Sequence, residues 1–358
     1  MDVRPVLIMA GGTGGHVFPA LAVADELRAR GVPVVWLGTK AGIESRLVPQ
    51  AGYPIEWLSI TGLRGKNTLT LLLAPLRIAL ACQQALAVLW RRKPCAVLGM
   101  GGFASGPGGI MAWLLRKPLL LQEQNAIAGL TNKILARFAG TVMQAFPGVF
   151  KGAITTGNPV RREICELPAP EQRTVQHDGA LRLLVVGGSL GAVRLNEIIP
   201  QALALLAPAE RPQVMHQTGV KNLDSAKACY RDAGVEAKVE AFIDDMAAAY
   251  DWADLVICRS GAMTVFELAA AGIASILVPY PHAVDDHQTA NAAYLEQAGA
   301  AIIKQQNELE PQWLADTLRE LMAGRDRLLQ MARAARERAM PDAARTIADA
   351  CMKAGGIV

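Results

Sequence analysis

Three hundred and fifty-eight residues, 52 % of them hydrophobic and 19 % charged, supply apolar side chains for more than one core and exclude global disorder. At roughly 150 residues per domain, that length suggests two domains. The net charge of +4 conceals a division: residues 1–160 carry 16 basic and 6 acidic side chains, residues 161–358 carry 20 and 26, so an anionic partner is expected for the first half alone.

Along the chain, short apolar runs alternate with longer helical patterns. Val6–Ala10, Val34–Gly38, Ala96–Gly99, Leu119–Gln122 and Thr141–Ala145 read as strands in the first half. Leu181–Val186, Gln213–Gln217, Leu255–Cys258 and Ser275–Pro279 follow in the second. Runs apolar throughout are expected to be covered on both faces, as in a parallel sheet. Pro19–Arg30, Leu195–Leu206 and Thr264–Ala271 space their apolar residues as helices do. The alternation predicts doubly wound α/β domains. Uncharged Pro94–Leu115 is 22 residues long, but its six glycines and Pro107 argue against a membrane span. After Pro5 only five apolar residues precede the first glycines, too few for a secretion signal. Cys82, Cys95, Cys165, Cys229, Cys258 and Cys351 lack metal-ligand spacing and are expected to be reduced, in a cytoplasmic protein.

The halves echo each other. Strand Val6–Ala10 runs into GGTGGH (Gly11–His16) and a helix; 176 residues later Leu181–Val186 runs into GGSLGA (Gly187–Ala192) and another. Two Rossmann-like domains account for the echo, divided as 1–161, joined by a C-terminal helix over 341–358, and 162–340. Polar Glu163–Gly179 reads as the linker, and a helical tail, Arg325–Lys353 interrupted at Pro341, closes the chain.

Two more glycine turns follow strands: GMGGFASGPGG (Gly99–Gly109) and RSGAMT (Arg259–Thr264). A strand ending in glycines before a helix leaves open N–H groups at the positive end of that helix, where anions bind. A dinucleotide is disfavoured, because Val17 stands where a third glycine belongs and Gly38-Thr39-Lys40 offers no carboxylate. In RSGAMTVFELAAAG, Ser260 is expected to cap the helix and leave the N–H groups of Ala262, Met263 and Thr264 outward. Glu267, a turn further in, suits a ribose diol or an ordinary place near a helix start. His282–Ala292 clusters Asp285, Asp286, His287, Gln288 and Asn291, a group suited to sugar hydroxyls or to a solvated loop.

GGTGGH, GMGGFASGPGG, QEQNAIAGLTNK (Gln122–Lys133), GNPVR (Gly157–Arg161), GGSLGA, HQTG (His216–Gly219), RSGAMTVFE and DHQTANA occur in order over about four-fifths of the chain. Together they resemble the bacterial family, within glycosyltransferase family 28, that moves N-acetylglucosamine (GlcNAc) from UDP-GlcNAc to undecaprenyl-pyrophosphoryl-MurNAc-pentapeptide, turning lipid I into lipid II. The resemblance implies a GT-B fold, two Rossmann-like domains facing across a cleft. It implies an inverting transfer to the MurNAc 4-hydroxyl with no cofactor and no metal, in keeping with the lack of an Asp-x-Asp motif. Carried onto this sequence, Ser189 and Ala262–Thr264 would bind the diphosphate. Phe242 would cover the uracil, the Ile243 backbone would read its edge, Glu267 would hold the ribose and Gln288 the sugar hydroxyls. Thr13, Gly14, Gly15, His16, Asn125 and Arg161 would face sugar and acceptor. Gln122, Leu190 and His287 depart from the family pattern, where His, Gln and Gln are common. The nearest alternative is a related transferase acting on another lipid such as diacylglycerol; an oxidoreductase and a non-catalytic adaptor are further rivals.

The chemistry asks for a base on the acceptor hydroxyl. His16 leads because imidazole titrates near neutrality, and Glu123 is the second candidate. Lipid substrate also implies a membrane. Between Glu56 and Glu123 no acidic residue occurs, while Arg77, Arg91 and Arg92 are interleaved with Leu72, Leu73, Leu76, Leu80, Trp90 and Trp113. Basic and apolar side chains together support reversible docking on anionic lipid. The expected location is the cytoplasmic face of the inner membrane, with UDP-GlcNAc, lipid I and cell-wall synthesis complexes as partners and no nucleic acid.

Overall fold

The computed structural model describes residues 4–60, 74–174, 179–188 and 191–357. The chain divides into two compact units, Met1–Val160 with Met340–Val358, and Arg161–Ala339.

The first unit contains β1 (Val6–Met9), β2 (Val34–Thr39), β3 (Ile55–Leu58), β4 (Ala96–Gly99), β5 (Leu119–Glu123), β6 (Thr141–Gln144) and β7 (Ile154–Thr155). They form one sheet in the order β3-β2-β1-β4-β5-β6-β7. Every pairing is parallel; Val6, for example, lies beside both Val34 and Ala96. The second unit contains β8 (Arg182–Val186), β9 (Gln213–Gln217), β10 (Lys238–Glu240), β11 (Leu255–Cys258), β12 (Ala274–Leu277) and β13 (Ala301–Ile303), ordered β10-β9-β8-β11-β12-β13 and again parallel. Both orders reverse direction beside the first strand of the unit, the mark of a doubly wound sheet. The central strands are apolar because helices cover both faces: β1, β4, β11 and β12 are buried at every residue.

Helix Gly14–Ala29 starts within the first glycine run rather than at Pro19, with Thr13 extended at its N-cap (φ −122°). Gly14, Gly15 and His16 are therefore its first turn. Pro19 sits inside that helix at the sixth residue, where it leaves the Gly15 carbonyl without its usual helical donor. The tail forms two helices, Arg325–Glu337 and Ala343–Gly355. The second belongs to the first unit, where Ile347, Ala348 and Cys351 complete the core around β1 and β4. An Arg30–Asp349 ion pair ties it to the helix Gly14–Ala29. All six cysteines are free thiols. Among the described residues no helix is long and apolar enough to cross a membrane.

Candidate functional site

In an open parallel sheet, ligands bind beyond the strand ends where the winding reverses, between β1 and β4 in the first unit and between β8 and β11 in the second. Each of the four glycine turns leaves one of these strands.

In the first unit the turns after β1 and β4 touch. Gly102 (φ +85°) lies so close to the Gly11 main chain that no side chain fits there. Gly101 (φ +96°) makes room for an imidazole, since a Cβ there would stand 2.6 Å from His16 Nδ1. His16 is half-buried, its Nδ1 2.8 Å from Gln124 Oε1. Thr13 is exposed and makes no capping bond, and the Gly14 and Gly15 N–H groups bond to no main-chain carbonyl among the described residues. The turn thus places open N–H groups at a helix start, the geometry that suits an anion.

Beneath it lies a residue the sequence reading missed. Glu44 is wholly buried. One carboxylate oxygen accepts from the Gly12 N–H (2.9 Å), the other from the Thr39 N–H (3.0 Å) and hydroxyl (2.7 Å). Gly11, Gly38 and Gly42 are glycines because a Cβ at any of them would overlap this side chain. The link from Glu44 to Gly12 spans 32 residues and leaves no local signal.

Glu123, the second candidate base, is already engaged by donors from its own loop. Its buried carboxylate accepts from the Asn125 N–H (3.0 Å), the Gly129 N–H (3.1 Å) and Asn132 Nδ2 (2.9 Å). Both oxygens organise the loop 124–132, leaving little capacity for a substrate proton. Asn125 is placed by that same carboxylate.

In the second unit, Gln217 closes the turn after β8. Its Oε1 accepts from the Gly188 N–H (3.0 Å) and its Nε2 donates to the Gly188 and Ala241 carbonyls. The Gly188 N–H is thus occupied, and the following helix starts at Val193 rather than directly after Gly188. Ser189 and Leu190 lie outside the described residues. After β11 the helix Ala262–Ala271 is capped by Gly261, not Ser260. The Ser260 hydroxyl is buried without a partner, because Gly261 takes the extended N-cap conformation one residue later. The first helical bond runs from the Val265 N–H to the Gly261 carbonyl, so among the described residues the N–H groups of Ala262, Met263 and Thr264 have no main-chain partner, as expected.

Glu267 sits one turn inside that helix. Tyr250 donates its hydroxyl to one carboxylate oxygen (3.1 Å) and Arg161 approaches the other (3.4 Å). Burial raises the pKa of Glu267, opposed by the Arg161 charge and both hydrogen bonds. Arg161 belongs to this unit rather than the first and is occupied with Glu267, so the boundary falls at Val160. Phe242 is 60 % exposed, a bare aromatic face, and the main-chain N–H of buried Ile243 next to it has no backbone partner among the described residues. Gln288 Oε1 accepts from the Tyr280 N–H (2.9 Å). Asp285 and Asp286 both hold positive φ (53° and 51°), a strained pair of the kind found at binding turns. Asn291 is buried and donates to the Ser260 carbonyl, joining this segment to the turn after β11.

On the helix Ala74–Arg92, Leu76 (68 %), Leu80 (46 %) and Trp90 (76 %) are exposed, as is Arg77. Leu72 and Leu73 lie outside the described residues. Arg91 and Arg92 both pair with Glu56 (2.5 and 2.8 Å), so they are not the free charges the sequence suggested. Exposed Trp113 packs on Phe138 at 4.8 Å between ring centres, next to exposed Leu114, while exposed Leu130 and Ile134 on the helix Leu130–Leu135 add apolar surface that the sequence alone did not indicate.

The descriptions "Glycosyltransferase family 28 N-terminal domain" and "Glycosyltransferase family 28 C-terminal domain" match residues 6–144 and 182–347. This chain belongs to glycosyltransferase family 28. Within the family it is 56 % identical to the UDP-N-acetylglucosamine–N-acetylmuramyl-(pentapeptide) pyrophosphoryl-undecaprenol N-acetylglucosamine transferase of Marinobacter nauticus, over 98 % of each chain. It is 57 % identical to the protein of the same name in Nitrosococcus oceani, over 99 % of each. The crystal structure of Acinetobacter baumannii MurG superposes with a TM-score of 0.87 at 43 % identity, covering 98 % of this chain and 99 % of that one. The family 28 pairing of two Rossmann-like domains, one sheet in each, is the GT-B fold.

Proposed function

We infer that the chain moves GlcNAc from UDP-GlcNAc to the MurNAc 4-hydroxyl of undecaprenyl-pyrophosphoryl-MurNAc-pentapeptide, with inversion, producing lipid II for peptidoglycan. The carrying observation is identity of 56–57 % along nearly the full length of two relatives bearing that name, joined to two open helix starts in separate units.

The second unit takes the donor. Charge growing on the departing UDP meets the open N–H groups of Ala262, Met263 and Thr264, a preorganised positive end that needs no rearrangement during reaction. Ser189, next in sequence after Gly188, adds a diphosphate contact. Phe242 stacks on the uracil while the Ile243 main chain bonds to its edge. Glu267 accepts from the ribose diol, exchanging its Arg161 contact for the sugar. Gln288 turns its amide nitrogen to the GlcNAc hydroxyls. In the first unit, Gly14 and Gly15 offer N–H groups to the acceptor pyrophosphate, with Thr13 and Asn125 beside them, and His16 removes the proton from the attacking hydroxyl.

The membrane contact uses Leu76, Arg77, Leu80, Trp90 and Trp113, with the enzyme lying peripherally on the cytoplasmic face of the inner membrane and open to cell-wall synthesis complexes. Labelled UDP-GlcNAc offered with either lipid I or diacylglycerol tests the reaction. Transfer to lipid I alone is expected; transfer only to diacylglycerol overturns the reading. His16→Ala is expected to lower kcat by about 10²-fold or more, and a loss under about tenfold removes His16 from the base role.

A further inference from the structure

A base on the acceptor hydroxyl needs a bare ring nitrogen, and neutral imidazole can carry its single proton on either one. We propose that the buried amides of Gln124, Gln122 and Asn158 are positioning residues that lock neutral His16 as the Nδ1–H tautomer, leaving Nε2 bare for the substrate. The proposal rests on the assignment of His16 as base.

The hydrogen bonds leave no choice of direction. Asn158 Nδ2 donates to the Gln124 main-chain carbonyl (2.9 Å), so its Oδ1 is left to accept. Gln122 Nε2 donates to that Oδ1 (3.2 Å) and to the Gly157 carbonyl (3.3 Å), which leaves Gln122 Oε1 as an acceptor. Gln124 Nε2 donates to Gln122 Oε1 (2.5 Å) and to the Gln122 main-chain carbonyl (3.0 Å). Each amide nitrogen is pinned by a main-chain carbonyl, a group that can only accept, so flipping any one amide sets oxygen against oxygen. Gln124 therefore presents Oε1 to His16 Nδ1 at 2.8 Å, and the proton must reside on Nδ1.

Burial makes the arrangement stiff. Gln122, Gln124 and Asn158 have no exposed surface, so water is poorly placed to take over a lost bond, and an orphaned amide would bear its full desolvation cost. Gly101 supplies the space in which the ring meets Gln124. The chain also gives a role to Gln122, one of the three positions that depart from the family pattern.

The test is nitrogen-15 NMR of the full-length chain labelled at histidine, with the His16 signals assigned by their loss in His16→Asn. Above the titration of the ring, a protonated Nδ1 and a bare Nε2 are expected. Gln124→Met is expected to give averaged ring nitrogens and to lower kcat about tenfold while KM for UDP-GlcNAc holds within about twofold, the pattern of a misoriented imidazole rather than a lost binding contact. A neutral His16 protonated on Nε2 in the parent chain overturns the proposal whether or not the variant folds. Unchanged ring signals and kcat in Gln124→Met overturn it as well. If His16→Asn keeps full activity while the parent shows Nδ1–H, the lock stands and only the base assignment fails.

Discussion

Two buried polar residues show how single side chains set the terms for this molecule. Glu44 takes three donors around the first glycine turn, and removing it strands the Gly12 N–H together with both donors of Thr39. Buried donors without partners cost about 1–3 kcal/mol each, so Glu44→Ala should lower the unfolding free energy by about 3 kcal/mol, read from urea titration. His216 sits wholly buried on β9 with Nδ1 2.9 Å from the Tyr230 hydroxyl, and burial pushes its pKa down to about 3. Below about pH 6.5 the unfolded chain protonates this histidine while the folded chain does not. Its contribution is therefore intact above that value and falls by about 1.4 kcal/mol per pH unit toward pH 3. Urea midpoints should drop between pH 6.5 and 5, and His216→Gln should flatten that drop.

At the scale of elements, the strands that could be read in the sequence are the central ones. β1, β2, β4, β5, β6, β8, β9, β11 and β12 coincide with expected runs to within a residue or two, because strands covered on both faces are written in apolar residues. The four that were not foreseen, β3, β7, β10 and β13, are the four sheet edges. Edge strands are short and half exposed; Ile154–Thr155 and Lys238–Glu240 carry no continuous apolar run. The candidate site divides similarly. Its glycine turns were legible because backbone demand writes glycine into the chain, whereas the Glu44 and Gln124 partnerships span 32 and 108 residues and have no local pattern. The helix Ala343–Gly355 was foreseen as a tail, and its attachment follows from Ile347 and Cys351 being wholly buried in the first unit. Ile347→Ala should cost about 2–5 kcal/mol, observed as a lower urea midpoint for that unit.

Over the whole molecule, charge is sorted along the chain, and the first half holds the exposed apolar residues that such charge would bring to lipid. Exposed Arg77 and Lys133, with Arg116 and Arg137 just past helix ends, accompany Leu76, Trp113, Leu114 and Leu130 on neighbouring helices. Vesicles with anionic lipid should bind the protein more tightly than neutral ones, and salt should weaken the difference. Replacing both Trp113 and Leu114 by Ala should reduce partitioning about tenfold or more in a sedimentation assay. Glu56→Gln should have the opposite sign, because it frees Arg91 and Arg92, each contributing about 1 kcal/mol near an anionic surface. The return of the last helix to the first sheet has a further consequence, for biosynthesis. Strands made early wait for a helix made much later: until residues 343–355 emerge, the β1 and β4 layer lacks the cover of Ile347 and Cys351 and exposes greasy surface to the cell's chaperones. A released chain truncated after residue 339 should accordingly be cut by protease within the amino-terminal sheet, while the second unit, which keeps all of Arg161–Ala339, resists.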